Sequence, residues 1–157
     1  MPDWVTTVRA LHYRGSIISH GSLPTVPNVL TFDMQPVAHG RNWAQFSATS
    51  TQRTQGAPDI PPARADLAFG RSEFDGLWAG PAALAQLRQG QVLDEDPVTK
   101  MRTAVSRVDD STVVIVESNA AGEIDNQYDK RTGMLLASSF YNVLSMQQRT
   151  LKLQGHE

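Results

Sequence analysis

Between Thr112 and Gln154 the chain reads TVVIVES, NAAG, EIDNQYD, KRTG, MLLASSFYNVLSM, QQ and RTLKLQ, four β-type runs with a turn signal between each pair. The runs have strand length and are rich in β-branched and aromatic residues, whereas Asn and Gly gather between them. This predicts an antiparallel meander, which narrows the fold to a cupped sheet or barrel.

The rest of the chain extends the pattern. Trp4 to Ser19 alternates like a long strand, but Trp4 and Val8 share one parity while Leu11, Tyr13 and Ile17 share the other. A bulge near Arg9 to Leu11 would account for the change, since one extra residue swaps the faces of a strand. After the turn-rich GSLPTVPN, VLTFDMQPV places Leu30, Phe32 and Met34 on one face, and Pro36 suggests an end or an edge. HGRN then leads into WAQFSATSTQ, a hairpin partner with Ala44, Phe46 and Ala48 facing the core. Residues 54–65 lose periodicity and hold three of the nine prolines, a long surface connection.

One helix is expected, at Pro81 to Gln89, with Pro81 in its first turn and Gly90 just past its end. Proline suits the first turn because its missing N–H would be unpaired there, and glycine accepts the left-handed conformation that ends many helices. Leu84 and Leu87 would lean on the sheet. QVLDEDPVTKMRTAVSRV reads as a further hairpin bent at DEDPVT, with Met101, Thr103 and Val105 sharing a face. In TVVIVES both parities are apolar, as in a strand buried on two sides. Gly133 in DKRTG can supply the positive φ of a hairpin turn.

Composition removes several function classes. The 157 residues suit one domain, able to bury a core without metal or disulfide. Without cysteine there is no thiolate nucleophile and no cysteine metal site. The formal net charge is −2, and eleven arginines and three lysines are spread along the chain, so no basic field for nucleic acid or polybasic membrane patch is expected. No apolar run approaches the roughly 20 residues of a membrane helix. The start MPDWVTTVRA lacks the segments of a signal peptide, so a soluble chain is expected; the compartment is not assigned.

Motifs for chemistry are sparse. His12, His20, His39 and His156 form no His-x-His or helical His-x-x-x-His pair. Eight residues of extended strand place His12 and His20 roughly 26 Å apart, too far to share a metal. The acidic run Asp94, Glu95, Asp96 lacks the glycine and distal glutamate of a calcium loop and reads as a solvated turn, as do Asp109 and Asp110. There is no G-x-S-x-G elbow, G-x-G-x-x-G or P-loop. No metal and no cofactor is therefore expected.

The even positions of MLLASSFYNVLSM give an apolar stripe, Met134, Leu136, Ser138, Phe140, Asn142, Leu144 and Met146, broken by one hydroxyl and one amide. On the preceding run Ile124, Asn126 and Tyr128 share a face. A buried amide without a partner costs about 1–3 kcal/mol, so Asn126 and Asn142 require each other, backbone, water or a ligand. Trp4, Trp43 and Trp78 fit a pocket wall or a core.

The expectation is one all-β antiparallel meander of about eight or nine strands over residues 1–157, curved into a barrel or half-barrel, with one short helix. At the level of general plan alone this is similar to lipocalins and periplasmic lipid carriers; no family motif is present. The expected function is binding of a small, largely apolar molecule in the cup, with Asn126, Tyr128, Ser138, Phe140 and Asn142 as ligand contacts. One alternative is a cofactor-free enzyme pairing a carboxylate such as Asp33, Glu73 or Asp75 with a histidine. The other is a structural module that assembles, including into a homo-oligomer, through a sheet edge or apolar face.

Overall fold

A computed structural model describes residues 2–20, 28–41, 43–69 and 76–157. Among these the chain forms a 3-10 turn at Asp3–Thr6, a short helix α1 (Pro81–Leu84) and ten strands. The first four strands are β1 (Leu11–Ser19), β2 (Asn28–His39), β3 (Ala44–Thr54) and β4 (Ala63–Phe69). After α1 come β5 (Val92–Glu95), β6 (Arg102–Val108), β7 (Thr112–Asn119), β8 (Gly122–Asp129), β9 (Leu135–Asn142) and β10 (Gln147–His156).

All ten join one antiparallel sheet in the order β4-β3-β2-β1-β10-β9-β8-β7-β6-β5. Each strand pairs with its neighbour in sequence, except that β4 and β5 are the two edges and β1 lies against β10. The all-β antiparallel expectation therefore holds, with ten strands instead of eight or nine. No helix among the described residues is long and apolar enough to cross a membrane.

Several boundaries differ from the sequence reading. Trp4 lies in the 3-10 turn, so the change of phase before Leu11 comes from a helical turn entering a strand. The irregularity in β1 falls between His12 and Tyr13, against β10. Pro36 does not end β2. It lies past Leu11↔Met34, where β1 pairing stops, and beside a bulge toward β3 at Pro36/Ala38, so β2 is an edge only locally. The helix stops at Leu84, with only a turn at Ala85 and Gln86 beyond it. Four residues cannot repay helix nucleation by themselves, so packing of the fully buried Leu84 holds the turn in place.

The run MLLASSFYNVLSM is not one strand. The Asn142 carboxamide oxygen accepts the Ser145 N–H at 2.9 Å, Met146 takes a φ of 50°, and the chain turns through Val143 to Met146 into β10. Its apolar side chains misled the sequence reading because they are exposed at the turn, Leu144 at 83 %. The segment 21–27 and the expected carboxylates Glu73 and Asp75 lie outside the described residues.

The core covers one face of the sheet. Tyr13, Met34, Phe46 and Ala48 pack with Val5 of the 3-10 turn and with Leu77, Trp78 and Met134. A second cluster joins Leu84 to Val105, Val113, Ile115 and Tyr128. Burial of each large apolar side chain contributes about 1.5–3 kcal/mol. Residues 77–79 cross this face and dock on the start of β9: Trp78 bridges Met134, the Leu135 N–H donates to Leu77 O at 3.0 Å, and the Ala79 N–H donates to Gly133 O at 2.8 Å.

Candidate functional site

Strand register sets the site. Ile115, Asn126, Ser138 and Leu151 are successive cross-strand partners on β7, β8, β9 and β10, so their side chains leave the core-bearing face in one row. Among the described residues Asn126 is the buried polar residue, 8 % exposed, and it lies on that face. Its carboxamide makes no hydrogen bond to another described residue. It opens instead, with the Ser138 hydroxyl, onto a pocket of about 190 Å³ whose walls include Tyr13, Phe32, Met34 and Leu135.

A bulge fixes which β9 residues face this pocket. Gln127 pairs with Ala137 but Tyr128 pairs with Leu135, leaving Leu136 as the extra residue. Leu135 therefore lines the pocket, where strict alternation had pointed to Leu136. Tyr13 closes one side, its hydroxyl donating to Leu135 O at 2.9 Å. Burial, and more weakly the neighbouring Tyr128, pushes the Tyr13 phenol well above its ordinary pKa, so it remains a neutral donor.

The five expected ligand contacts occupy different environments. Asn126 and Ser138 face each other across β8 and β9 and line the pocket. Tyr128 is buried in the second core cluster, its hydroxyl donating to Gly76 O at 3.3 Å. Phe140 stands one row further along, beneath the Arg149 guanidinium at 5.7 Å from the ring centre. Asn142 caps the turn after β9. The pocket walls from β1 and β2 were not legible as a site, because pairing of β1 with β10 is a long-range event with no local signal; Phe32 and Met34 could be read only as an inward face.

The described acid–base candidate, Asp33, lies elsewhere. Asp33 pairs with His12 across the β1–β2 ladder on the opposite face, Nδ1 to Oδ1 2.7 Å, and both are well exposed. Of the acidic run, Asp96 is occupied by its own turn: its carboxylate accepts the N–H groups of Val98 and Thr99 and the Thr99 hydroxyl, which together hold its pKa below the ordinary carboxylate value. Among the described residues no three His, Asp or Glu side chains are grouped to hold a metal ion. Comparison of the chain with protein-family models and with curated proteins gave no match.

Proposed function

We propose that this chain is a binding domain that holds a small, largely apolar molecule with one hydrogen-bonding group. The single observation that carries this reading is Asn126, a residue only 8 % exposed that lines, beside the Ser138 hydroxyl, a largely apolar pocket and makes no side-chain hydrogen bond among the described residues. No fully buried side-chain polar atom among the described residues is left unsatisfied, so solvent reaches the amide through the pocket, and a ligand that displaced that water without matching it would cost on the order of 1–3 kcal/mol. A ligand hydroxyl or carbonyl removes that cost while its apolar body meets Phe32, Met34 and Leu135.

The same reading takes the sheet as a cup of the half-barrel kind. Phe69 on β4 and Asn126 on β8 stand six strand spacings apart in the sheet order, roughly 29 Å if the sheet were flat. Both border one pocket of about 190 Å³, which supports strong curling between them. The volume favours a single-ring or short-chain ligand, since a dry apolar cavity of about 150 Å³ suits benzene.

Thermal melts with p-cresol, toluene, indole and cyclohexanol test the proposal. The parent chain is expected to gain stability with p-cresol or cyclohexanol. Asn126→Leu should reverse the preference towards toluene, because it removes the polar demand and keeps the volume. No shift with any of the four compounds, together with unchanged or higher stability of Asn126→Leu, would refute the pocket.

A further inference from the structure

The face of the sheet opposite the core carries a second hollow. We propose that it binds a small molecule bearing a phosphate or similar oxyanion, held between Arg14 and Lys152 at one end and Arg107 at the other. Arg107, Val114, Gln127, Ala137, Lys152 and Arg14 form one unbroken cross-strand row over β6, β7, β8, β9, β10 and β1. Residues of this row line a single cavity of about 560 Å³, within the usual range for small-molecule sites of roughly 300–1,000 Å³. A twisted sheet is saddle-shaped, so each face is concave along one diagonal, and this face can be hollow although the other also holds a pocket.

Side-chain size and charge along the row set its chemistry. Short side chains, Ala137 in the row and Ser139 beside it, leave a floor, and long cationic ones rise at the row's ends. Arg14 and Lys152 are direct cross-strand partners, an arrangement that repels. Among the described residues neither is within ion-pair distance of a carboxylate, whereas Arg107 is held by Asp109 at 3.1 Å. Two opposed cations beside a hollow are relieved by one bound dianion, which accepts charge-assisted hydrogen bonds from both. The Ser139 hydroxyl and the Gln127 amide, on the same lining, supply neutral donors, whereas the Thr150 hydroxyl is engaged with that of Ser16 at 3.2 Å.

Asp125 is the one acid on this lining. It lies at the side of the hollow, cross-strand from Ser139, where its carboxylate opposes an anion; partial burial raises its pKa above the ordinary carboxylate value. The hollow opens on the face away from Tyr13 and Asn126, with only Ser138 and Leu151 bordering both it and the apolar pocket.

Calorimetric titration of the whole chain with pyrophosphate and with inorganic phosphate, against sodium chloride of equal ionic strength, tests it. Saturable binding of pyrophosphate is expected, weakened at least about tenfold by Arg14→Gln and by Lys152→Gln and strengthened by Asp125→Asn. Arg131→Gln, an exposed cation outside the hollow, should bind like the parent. Arg14 and Lys152 are themselves exposed, so their variants should melt with the parent. Non-saturating heat, a response equalled by chloride, or equal binding by the parent and both cation variants would overturn the proposal.

Discussion

The His12 imidazole and the Asp33 carboxylate meet across the β1–β2 ladder with Nδ1 and Oδ1 2.7 Å apart, on the face of the sheet that does not carry the core. The geometry fixes the imidazole as an Asp-oriented base would be fixed, and Glu157 lies 3.9 Å from its other nitrogen. Exposure decides its worth. With side chains 42 % and 47 % exposed, solvent screens the pair. His12→Ala and Asp33→Asn should each cost only about 0.2–1 kcal/mol by chemical denaturation, and the cost should shrink with added salt. A loss of several kcal/mol would contradict this account.

Gly133 to Ala should be much more damaging. The residue has a φ of 72°, and a Cβ there would stand 1.9 Å from the Ala79 carbonyl oxygen. That neighbour is backbone, held by the Ala79 N–H bond to Gly133 O, so it cannot swing aside. Gly56 has a similar φ of 80° with nothing within 4 Å of the added carbon. Gly56→Ala should cost about 1 kcal/mol from backbone strain, and Gly133→Ala clearly more, because it also lifts residues 77–79 off the sheet. Equal losses in denaturant melts would show that the close approach does not matter.

Alkaline stability should depend on Tyr13. Burial holds its folded pKa above the unfolded value of 10.0, so the native state keeps this proton more tightly than the unfolded chain. That contribution is complete below pH 10 and is lost as pH rises from there through the folded value. Tyr13→Phe removes the linkage, so stability should fall less steeply above pH 10 than in the parent. At neutral pH the variant should lose about 0.5–1.5 kcal/mol with the hydrogen bond to Leu135 O. Denaturant melts on both sides of that pH measure the two slopes.

Chelation should leave the fold unaffected. Neither the histidine spacing nor the described arrangement of His, Asp and Glu provides a ligand set. A melting temperature that falls in EDTA and returns with one divalent ion would overturn this, because such a response is the mark of metal binding coupled to folding.

What the sequence made legible was local. Alternation at Leu30, Phe32 and Met34, the hairpin of Thr112–Asn119 with Gly122–Asp129, and the positive φ at Gly133 all follow from neighbours in the chain. The turn at Val143 to Met146 was hidden, because apolar side chains filled positions that the Asn142 cap and a left-handed Met146 commit to a bend. The pocket was legible by half. Asn126 and Ser138 could be placed on one face by parity, but their apolar companions Tyr13 and Phe32 arrive only through pairing of β1 with β10. The cationic hollow had no sequence signal, since Arg14, Arg107 and Lys152 become one row only in register.

That β1–β10 ladder also governs the order of assembly. Strands β1 to β4 and β5 to β10 are two stacks of sequence neighbours, each able to zip from its own turns. Their junction must bring Leu11 to His156 and Ser19 to Gln147, a closure whose entropic cost is met before any of its contacts form. Until then β1 and β10 are raw edges with unpaired backbone, open to strands of other molecules. These two interior strands of the finished sheet are thus the most vulnerable while it forms, and dilution should favour refolding more than any change to β4 or β5.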